Sequence, residues 1–470
     1  MKGARAVSLV LAVGLAGAAC AAPALAARAK EPWPPAPKRG LFFAHFGEEH
    51  LDDDDGIRIF PRVIHDSARY KPDLVTTSGD KASDNSVENL SGWKEQMSFY
   101  DRKGIPYFAA VGNHDRSQSG TQGLGSSANG GDIAPYLEIF ADRPYPFGDG
   151  PAVSEEGFEP VPRPATDPPG ASTHYAVEAG AARFIFLDNS CFSFINCDPY
   201  QSPPLPTAAG DPTQYDFMRT QAKLASREND LAFVVMHIPT QDPRPGHSQP
   251  TAGAHTLGEG TSPENATFED AAFTAGVDGV FAGHIKGQWT YAEKNVGYFI
   301  DGGAGGEVYV GPGEETGVDS GYWHGYRLVS VRGNRIRTTD TVPVFSDEGI
   351  VIEGPAELES GTTAEFSAIG KQPTEEGPEV ELELRDPSEE APNFANLPRP
   401  ARIWTTSDPS VLAPLAAEKD DFRREERTQT ITGMFRARCP GVARVTITSG
   451  WERRRTEVRV SSSASTPAGC

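Results

Sequence analysis

Cysteine is scarce in this chain, five in 470 residues, so no extended disulfide framework can hold it together. Positive charge is also short: 43 Lys and Arg stand against 65 Asp and Glu, a net charge of −22. That deficit argues against duplex nucleic acid or an anionic membrane as a partner recruited by charge alone, and is mostly a statement about solubility. Long apolar runs are missing as well. Beyond the N-terminal segment no stretch approaches 18 uninterrupted apolar residues, so no transmembrane segment is expected. What remains is 38% hydrophobic and 23% charged, enough for two or three domains with cores and unlike a disordered tail.

The N-terminal segment is of another kind. Lys2 and Arg5 precede the apolar stretch Val7 to Ala19, and Ala24-Leu25-Ala26 supplies the small residues a signal peptidase reads. Residues 1–26 are therefore expected to be a cleaved secretory signal, residues 27–39 a linker, and the mature protein secreted or held at the cell surface. Cys20 raises a lipoprotein alternative, which Gly17 disfavours because a branched aliphatic residue normally stands there. Of the remaining cysteines, Cys191 and Cys197 lie in a loop-like stretch, as either a local disulfide or two free thiols. Cys439 and Cys470 complete the set.

From residue 40 to 345 short β-rich runs alternate with amphipathic stretches. Strands are predicted at Leu41–Phe46, Asp73–Thr77, Pro106–Val111, Phe184–Leu187, Ala232–Met236 and Gly279–Phe281. Helices are predicted at Ile57–Tyr70, Val87–Lys103, Tyr215–Arg227 and Phe268–Ala275, an alternation that argues for a layered α/β domain. Pro/Gly-rich stretches at 145–170 and 241–265 interrupt it and are long for compact-domain loops. Past Phe345 helical periodicity vanishes and about seven short strands follow over some 115 residues, a spacing that favours an Ig-like β-sandwich over 346–461. Trp404-Thr405-Thr406-Ser407-Asp408-Pro409, with Pro440-Gly441-Val442-Ala443-Arg444-Val445-Thr446 after it, resembles the bacterial Ig-like (group 2) module. Residues 462–470 read as a flexible tail.

The strands of the first region end in polar groups. Val111 leads into Gly112-Asn113-His114-Asp115, Thr77 into Ser78-Gly79-Asp80, Met236 into His237, Ala282 into Gly283-His284-Ile285-Lys286, and Phe46 through Gly47 into Glu48-Glu49-His50. Carboxyl ends of parallel strands open into the ligand crevice, so polar residues there favour chemistry over packing. Any one motif has a plainer reading, since a lone Gly-Asp is usually a turn and a lone His usually a satisfied half-buried one. Their order, however, resembles the calcineurin-like metallophosphoesterases, whose pattern runs Asp-x-His, Gly-Asp, Gly-Asn-His-Asp/Glu, His, Gly-His-x-His.

This resemblance covers about residues 40 to 345 and implies a four-layer α/β/β/α sandwich followed by the all-β Ig-like sandwich. It implies a phosphoester substrate and two divalent transition metals, Mn, Fe or Zn, held about 3.5 Å apart to bind phosphoryl oxygens and lower the pKa of a water. Carried over by position, Asp80 bridges both metals, Asn113, His237 and His284 complete one site, and Glu48 and His50 serve the other. His114 stays off the metals to polarise the phosphoryl group or protonate the leaving oxygen, with Asp115 orienting its ring.

The chain departs from the pattern twice. Glu48 stands for an Asp, and a rival alignment places His45 and Gly47 there; with Glu48-Glu49-His50 preferred, His45 becomes a structural imidazole. Lys286 stands for the final His and has no lone pair to give, so the first site is expected to be weak or empty, with Lys286 as a phosphate contact or metal substitute. His247 or His255 could swing in instead. Two classes of function therefore stand: a secreted phosphoesterase acting on mono- or diesters, and a catalytically impaired binding or cell-surface protein. The acidic run Glu48 to Asp55 lacks the closing Glu of an EF-hand and reads as a solvated loop beside the site. Asp84 reads as a helix cap, and Trp323-His324-Gly325-Tyr326 as a packed aromatic corner from which His324 could reach the site. The Ig-like domain is read as a possible means of cell-wall or surface association, by analogy alone.

Overall fold

The computed structural model describes residues 40–116, 133–140, 173–190, 214–228, 230–244, 256, 264–308, 321–346, 349–372, 380–382, 404–415, 431–449, 452–464 and 466–470. The expected signal segment and linker, Cys191, Cys197, His247, His255 and almost all of the two Pro/Gly-rich stretches lie outside these residues.

The α/β portion runs β1 (Leu41–Phe46), α1 (Asp54–Arg69), β2 (Leu74–Thr77), α2 (Val87–Lys103), β3 (Tyr107–Ala109), α3 (Ala134–Ile139), β4 (Tyr175–Ala179), β5 (Ala182–Phe186), α4 (Gln214–Glu228), β6 (Leu231–Val235), α5 (Glu264–Ala275), β7 (Gly279–Ala282), β8 (Gln288–Glu293), β9 (Val296–Asp301), β10 (Gly325–Val331) and β11 (Ile336–Pro343). Two sheets result, ordered β11-β10-β1-β2-β3 and β4-β5-β6-β7-β9-β8. β1, β2 and β3 are parallel, as are β5, β6, β7 and β9, so their carboxyl ends share an edge within each sheet.

Alternation along the strands sets the layers. Phe43 points from the first sheet into a cluster with Phe184, Phe233 and Phe281, at ring-centroid distances of 4.9, 5.6 and 5.5 Å. Its neighbour Phe46 turns the other way onto Phe60 of α1. In the second sheet Ile185, Val234 and Val280 face a separate core with Phe217 and Met218 of α4 and Phe268 of α5. Helices thus cover the outer face of each sheet while the inner faces meet, four layers in all, which is why the central strands are apolar on both sides. α2 starts where the sequence reading places it because Ser86 accepts from the Asn89 N–H and Gly104 closes the helix at φ 69°. Ser86, and not Asp84, is the capping residue; Asp84 instead accepts from the Ser86 N–H and the Asn89 side chain, both at 2.9 Å.

Strands β4 and β8 to β11 were not visible in the sequence pattern. The β8–β9 hairpin turns on Lys294 and Asn295, both at positive φ, a two-residue turn made without the Asn-Gly pair that normally announces one.

Beyond residue 349 the described elements are all strands: β12 (Ile350–Glu353), β13 (Glu357–Glu359), β14 (Thr363–Gln372), β15 (Val380–Leu382), β16 (Trp404–Thr406), β17 (Leu412–Pro414), β18 (Ile431–Ala437), β19 (Gly441–Ser449) and β20 (Glu452–Ser461). They form one sheet β12-β14-β18-β17, with β15 on β14, and another β13-β20-β19-β16, around Phe366, Leu412, Phe435, Val445 and Val458. The tail is a correction: Cys470 is disulfide-bonded to Cys439, so the terminus expected to fray is tied to the loop after β18.

The two portions interlock. Trp323, just before β10, shares a core with Phe345, Ile350, Ala368, Val380, Leu382 and Ile447. At the end of β14 the Gln372 side chain accepts from the His324 N–H at 2.7 Å and donates to the His324 and Val344 carbonyls at 2.9 and 2.6 Å.

Candidate metal centre and active site

Loops after β1, β2, β3, β6 and β7 bring the polar strand ends together. Two groups of ligating atoms each lie within 4.8 Å of one another: His50 with Asp80 and His114, and Asp80 with His237 and His284. Asp80 belongs to both. Its Oδ2 is 3.2 Å from His237 Nε2 and 3.8 Å from His50 Nε2, while Oδ1 accepts the His114 N–H at 2.8 Å. Asn113 joins the His237 side, its Oδ1 2.7 Å from His237 Nε2. Glu48 spans both loops, with Oε2 3.1 Å from His50 Nε2 and Oε1 accepting the His284 N–H at 2.7 Å. The extra methylene relative to Asp is what carries this carboxylate to the β7 loop.

Backbone strain accompanies the arrangement. Glu48, His50, Asp80 and His284 all have left-handed φ, at 59°, 38°, 58° and 65°, a conformation costly for such residues and tolerated where the surroundings impose it. Gly112 is required by contact: a Cβ there would sit 2.1 Å from Asp80 Oδ1. A Cβ on Gly79, at φ 104°, would sit 2.5 Å from the Gly112 nitrogen.

The imidazoles are aimed from behind. His237 Nδ1 donates to the Ser78 carbonyl at 3.0 Å and His114 Nδ1 to the Ser83 carbonyl at 2.8 Å. Ser83 Oγ donates to Asp53 Oδ1 and lies 3.2 Å from His50 Nδ1, so it accepts from that ring. With Nδ1 engaged outward, His237 and His50 turn Nε2 toward Asp80, the orientation metal-ligating histidines take when their other nitrogen is held by a protein acceptor. This crowding of acceptors favours protons on the rings: against the penalty of burial, Asp80 keeps His237 raised to about 9. Against burial and Lys286, Asp53 and Glu48 raise His50 to about 9 as well. Burial opposes ionisation of Asp80 itself, yet His237, His114 and His50 hold its carboxyl well below the usual range. A carboxylate and several inward lone pairs suit a divalent cation of borderline softness in place of those protons.

His45 lies apart from this group. It is buried on the inner face of β1 with Nδ1 2.8 Å from Thr76 Oγ1 and its ring 5.0 Å from Phe281. Burial, reinforced by Arg327, lowers its pKa to about 3, so it is a neutral core histidine.

Asp115 does not orient His114 as the motif suggested. Its Oδ2 accepts from the Gly112 N–H at 2.7 Å and from Lys81 Nζ at 2.9 Å, and its Oδ1 from the Lys81 N–H at 3.1 Å. It therefore ties the Asp80 loop to the Asn113 loop through a buried ion pair, with the Lys81 ammonium also 4.8 Å from the Tyr136 ring centre. The ring of His114 is held by Ser83 instead, a residue no motif marks. The acidic run is likewise not merely solvated: Asp52 accepts the Ser83 N–H at 2.7 Å and Asp53 lies 3.3 Å from His50 Nδ1. Glu49 turns inward, accepting from Thr77, and burial raises its pKa to about 8. His324 is buried 3.5 Å from Asp55 at the start of α1. Asn189, after β5, accepts the N–H groups of His237 and Ile238 at 3.1 and 3.0 Å; the strand-end rule applied to Leu187-Asp188-Asn189 points to it.

The family model for calcineurin-like phosphoesterases matches residues 43–287, just over half of the chain. The chain belongs to that family. Family membership brings divalent metals with it, and the two His and Asp groups sit inside the matched region. No curated protein matches the chain. Among solved structures it is similar to GAP50, the anchor in the inner membrane complex of Plasmodium, at 12% identity and TM-score 0.37 over 66% of this chain and 91% of that one. The purple acid phosphatase PPD1 of yellow lupin seeds gives 14% and 0.40 over 72% and 52%. A putative 5'-nucleotidase from Staphylococcus aureus, in complex with alpha-ketoglutarate, gives 15% and 0.37 over 65% and 55%. The chain spans about half the length of these last two.

Proposed function

We propose that the protein is an exported, metal-dependent phosphoesterase that hydrolyses phosphate mono- or diesters. The observation that carries this reading is the sharing of Asp80 between two groups of inward-facing imidazoles. Asn113, His237 and His284 would hold a divalent ion with Asp80, and Glu48 and His50 form the opposite side, with Mn, Fe or Zn suited to this oxygen and nitrogen set. When bound, such an ion supplies Lewis acidity toward phosphoryl oxygens and lowers the pKa of the attacking water.

The chain's own groups do the rest. His114, its Nδ1–H fixed on the Ser83 carbonyl, presents Nε2 to the substrate and serves the leaving oxygen. Lys81 and Asp115 hold the Asp80 and Asn113 loops in register from below. Glu48 keeps the β1 and β7 loops together through the His284 N–H.

Export rests on the N-terminal signal pattern, and the assignment of 346–461 as a bacterial Ig-like sandwich rests on its strand spacing and on two sheets around one core. Attachment to a cell surface through that region is part of the same proposal. One observation favours the alternative, a binding protein of reduced activity: Lys286 flanks His50 in the first group. Purified protein assayed with aryl phosphate mono- and diesters and added manganese distinguishes them. Turnover that needs a divalent ion and drops in Asn113→Ala supports the enzyme; no turnover with any divalent ion, and no change in Asn113→Ala, supports the binding protein.

A further inference from the structure

The two groups that share Asp80 differ in the side chain that adjoins them. Gly306, on the segment after β9, donates its N–H to the Glu48 carbonyl at 2.7 Å. A Cβ on Gly306 would lie 2.8 Å from His50 Cδ2 and 3.0 Å from Lys286 Cε. The Lys286 stem and the His50 ring therefore pack against the same spot, and the half-buried Lys286 brings its ammonium to the His50 side. Around His237 the adjoining side chains are instead Asn113 and His284, both with lone pairs to give.

Carboxylates border both groups, Asp80 and Glu48 in each and Asp53 also 3.3 Å from His50 Nδ1; a divalent ion on the His50 side alone also meets a cation that offers no lone pair. We infer that the chain holds one tightly bound divalent ion, on Asp80, Asn113, His237 and His284, and that Lys286 supplies the positive charge on the His50 side. The substrate class follows: a phosphoester with one oxygen on the ion and another facing the Lys286 ammonium. This rests on the phosphoesterase reading, and its failure can be told apart from failure of that reading.

The test is a count of ions. Manganese bound to the full-length mature protein is measured by equilibrium dialysis with elemental analysis, for the wild type, Lys286→Gln and Lys286→His, with thermal melting as the folding control. The expected result is one ion per wild-type chain, with any second at least ten-fold weaker. Lys286→Gln should narrow that gap, and Lys286→His should bring the count to two, with the magnetic signature of a coupled manganese pair. Two ions of similar affinity in the wild type would overturn the inference and leave the phosphoesterase reading standing, as would an unchanged count in a folded Lys286→His. Binding of no ion by the wild type would overturn both. Should neither variant fold, the wild-type count decides alone.

Discussion

Beneath the candidate centre the α/β portion buries Glu49, Lys81, Asp115, Arg116 and Asp188, whereas beyond residue 349 the buried polar side chains among the described residues are Ser360 and Gln372. The C-terminal strands instead display Arg436, Arg438, Arg444, Arg453, Arg455 and Arg459 to solvent around an apolar interior. One portion accepts the desolvation of charge; the other avoids it. Buried ion pairs add little net stability but are costly to break singly, so they make sense where loops must be held in one arrangement. The α/β portion has such loops, strained at four of its candidate ligands. The strand-rich portion has an interior that hydrophobic alternation alone specifies.

The largest effect should come from the shared carboxylate. Asp80→Asn, a residue that tolerates the left-handed backbone, is expected to lower divalent-dependent hydrolysis of an aryl phosphate at least about a hundred-fold while the chain stays folded. Steady-state rates with manganese, alongside circular dichroism, check this; near-normal rates would leave the comparison without its functional half.

Next is the ion pair. Asp115→Ala strands the fully buried Lys81 ammonium and should cost about 3–5 kcal/mol in denaturant unfolding. Restoring an apolar pair with Lys81→Met in the same chain should recover much of it. A cost below about 1 kcal/mol would mean the pair does not hold the loops.

Gln372→Ala probes the junction. It leaves the His324 N–H and two carbonyls without their partner, and about 1–3 kcal/mol is expected in unfolding. If the two portions then melt separately, the interlock is what couples them.

Acid sensitivity follows from His45. Its folded pKa, about 3, lies below the ordinary histidine value of 6.5, so the unfolded chain binds the proton first and stability falls as pH drops below about 6.5. By pH 5 this group should remove about 2 kcal/mol, and His45→Asn should flatten that part of the stability profile relative to the wild type. A profile of equal slope in the variant would show that His45 does not titrate as its burial demands.

The smallest effect belongs to the displayed arginines. Arg444, 3.4 Å from Glu457 with both side chains largely exposed, should cost under about 1 kcal/mol when replaced by Ala. A larger loss would erase the contrast between buried and displayed charge.

Several of these features could be read without coordinates. β1, with its run of Phe and Ala, is found at Leu41–Phe46 and α2 at Val87–Lys103, as their apolar patterns and cap residues dictate. Asp80, Asn113, His237 and His284 do converge, because strand ends of a parallel sheet share an edge. Asp115 departs from the motif's expectation because adjacency in a motif says nothing about rotamer: its carboxylate turns beneath the loop to Lys81 while His114 turns to Ser83. Ser83 and Gln372 carried no signal, since a serine in a loop and a glutamine at a strand end are common and only their partners, 28 or more positions away, give them a role. The Cys439–Cys470 bond was open to the count of cysteines but not to their spacing.

Local order along the chain, then, determined the alternating elements, the change of grammar near residue 345 and the residue types delivered at each strand end, because periodicity and turn chemistry are short-range properties. Which nitrogen of each histidine faces inward, which carboxylate is paired with which cation, and that Lys286 and His50 lie side by side were decided only by tertiary structure. Those choices depend on groups from loops far apart in sequence meeting in a space with little water, where a single hydrogen-bond partner sets the orientation of a ring.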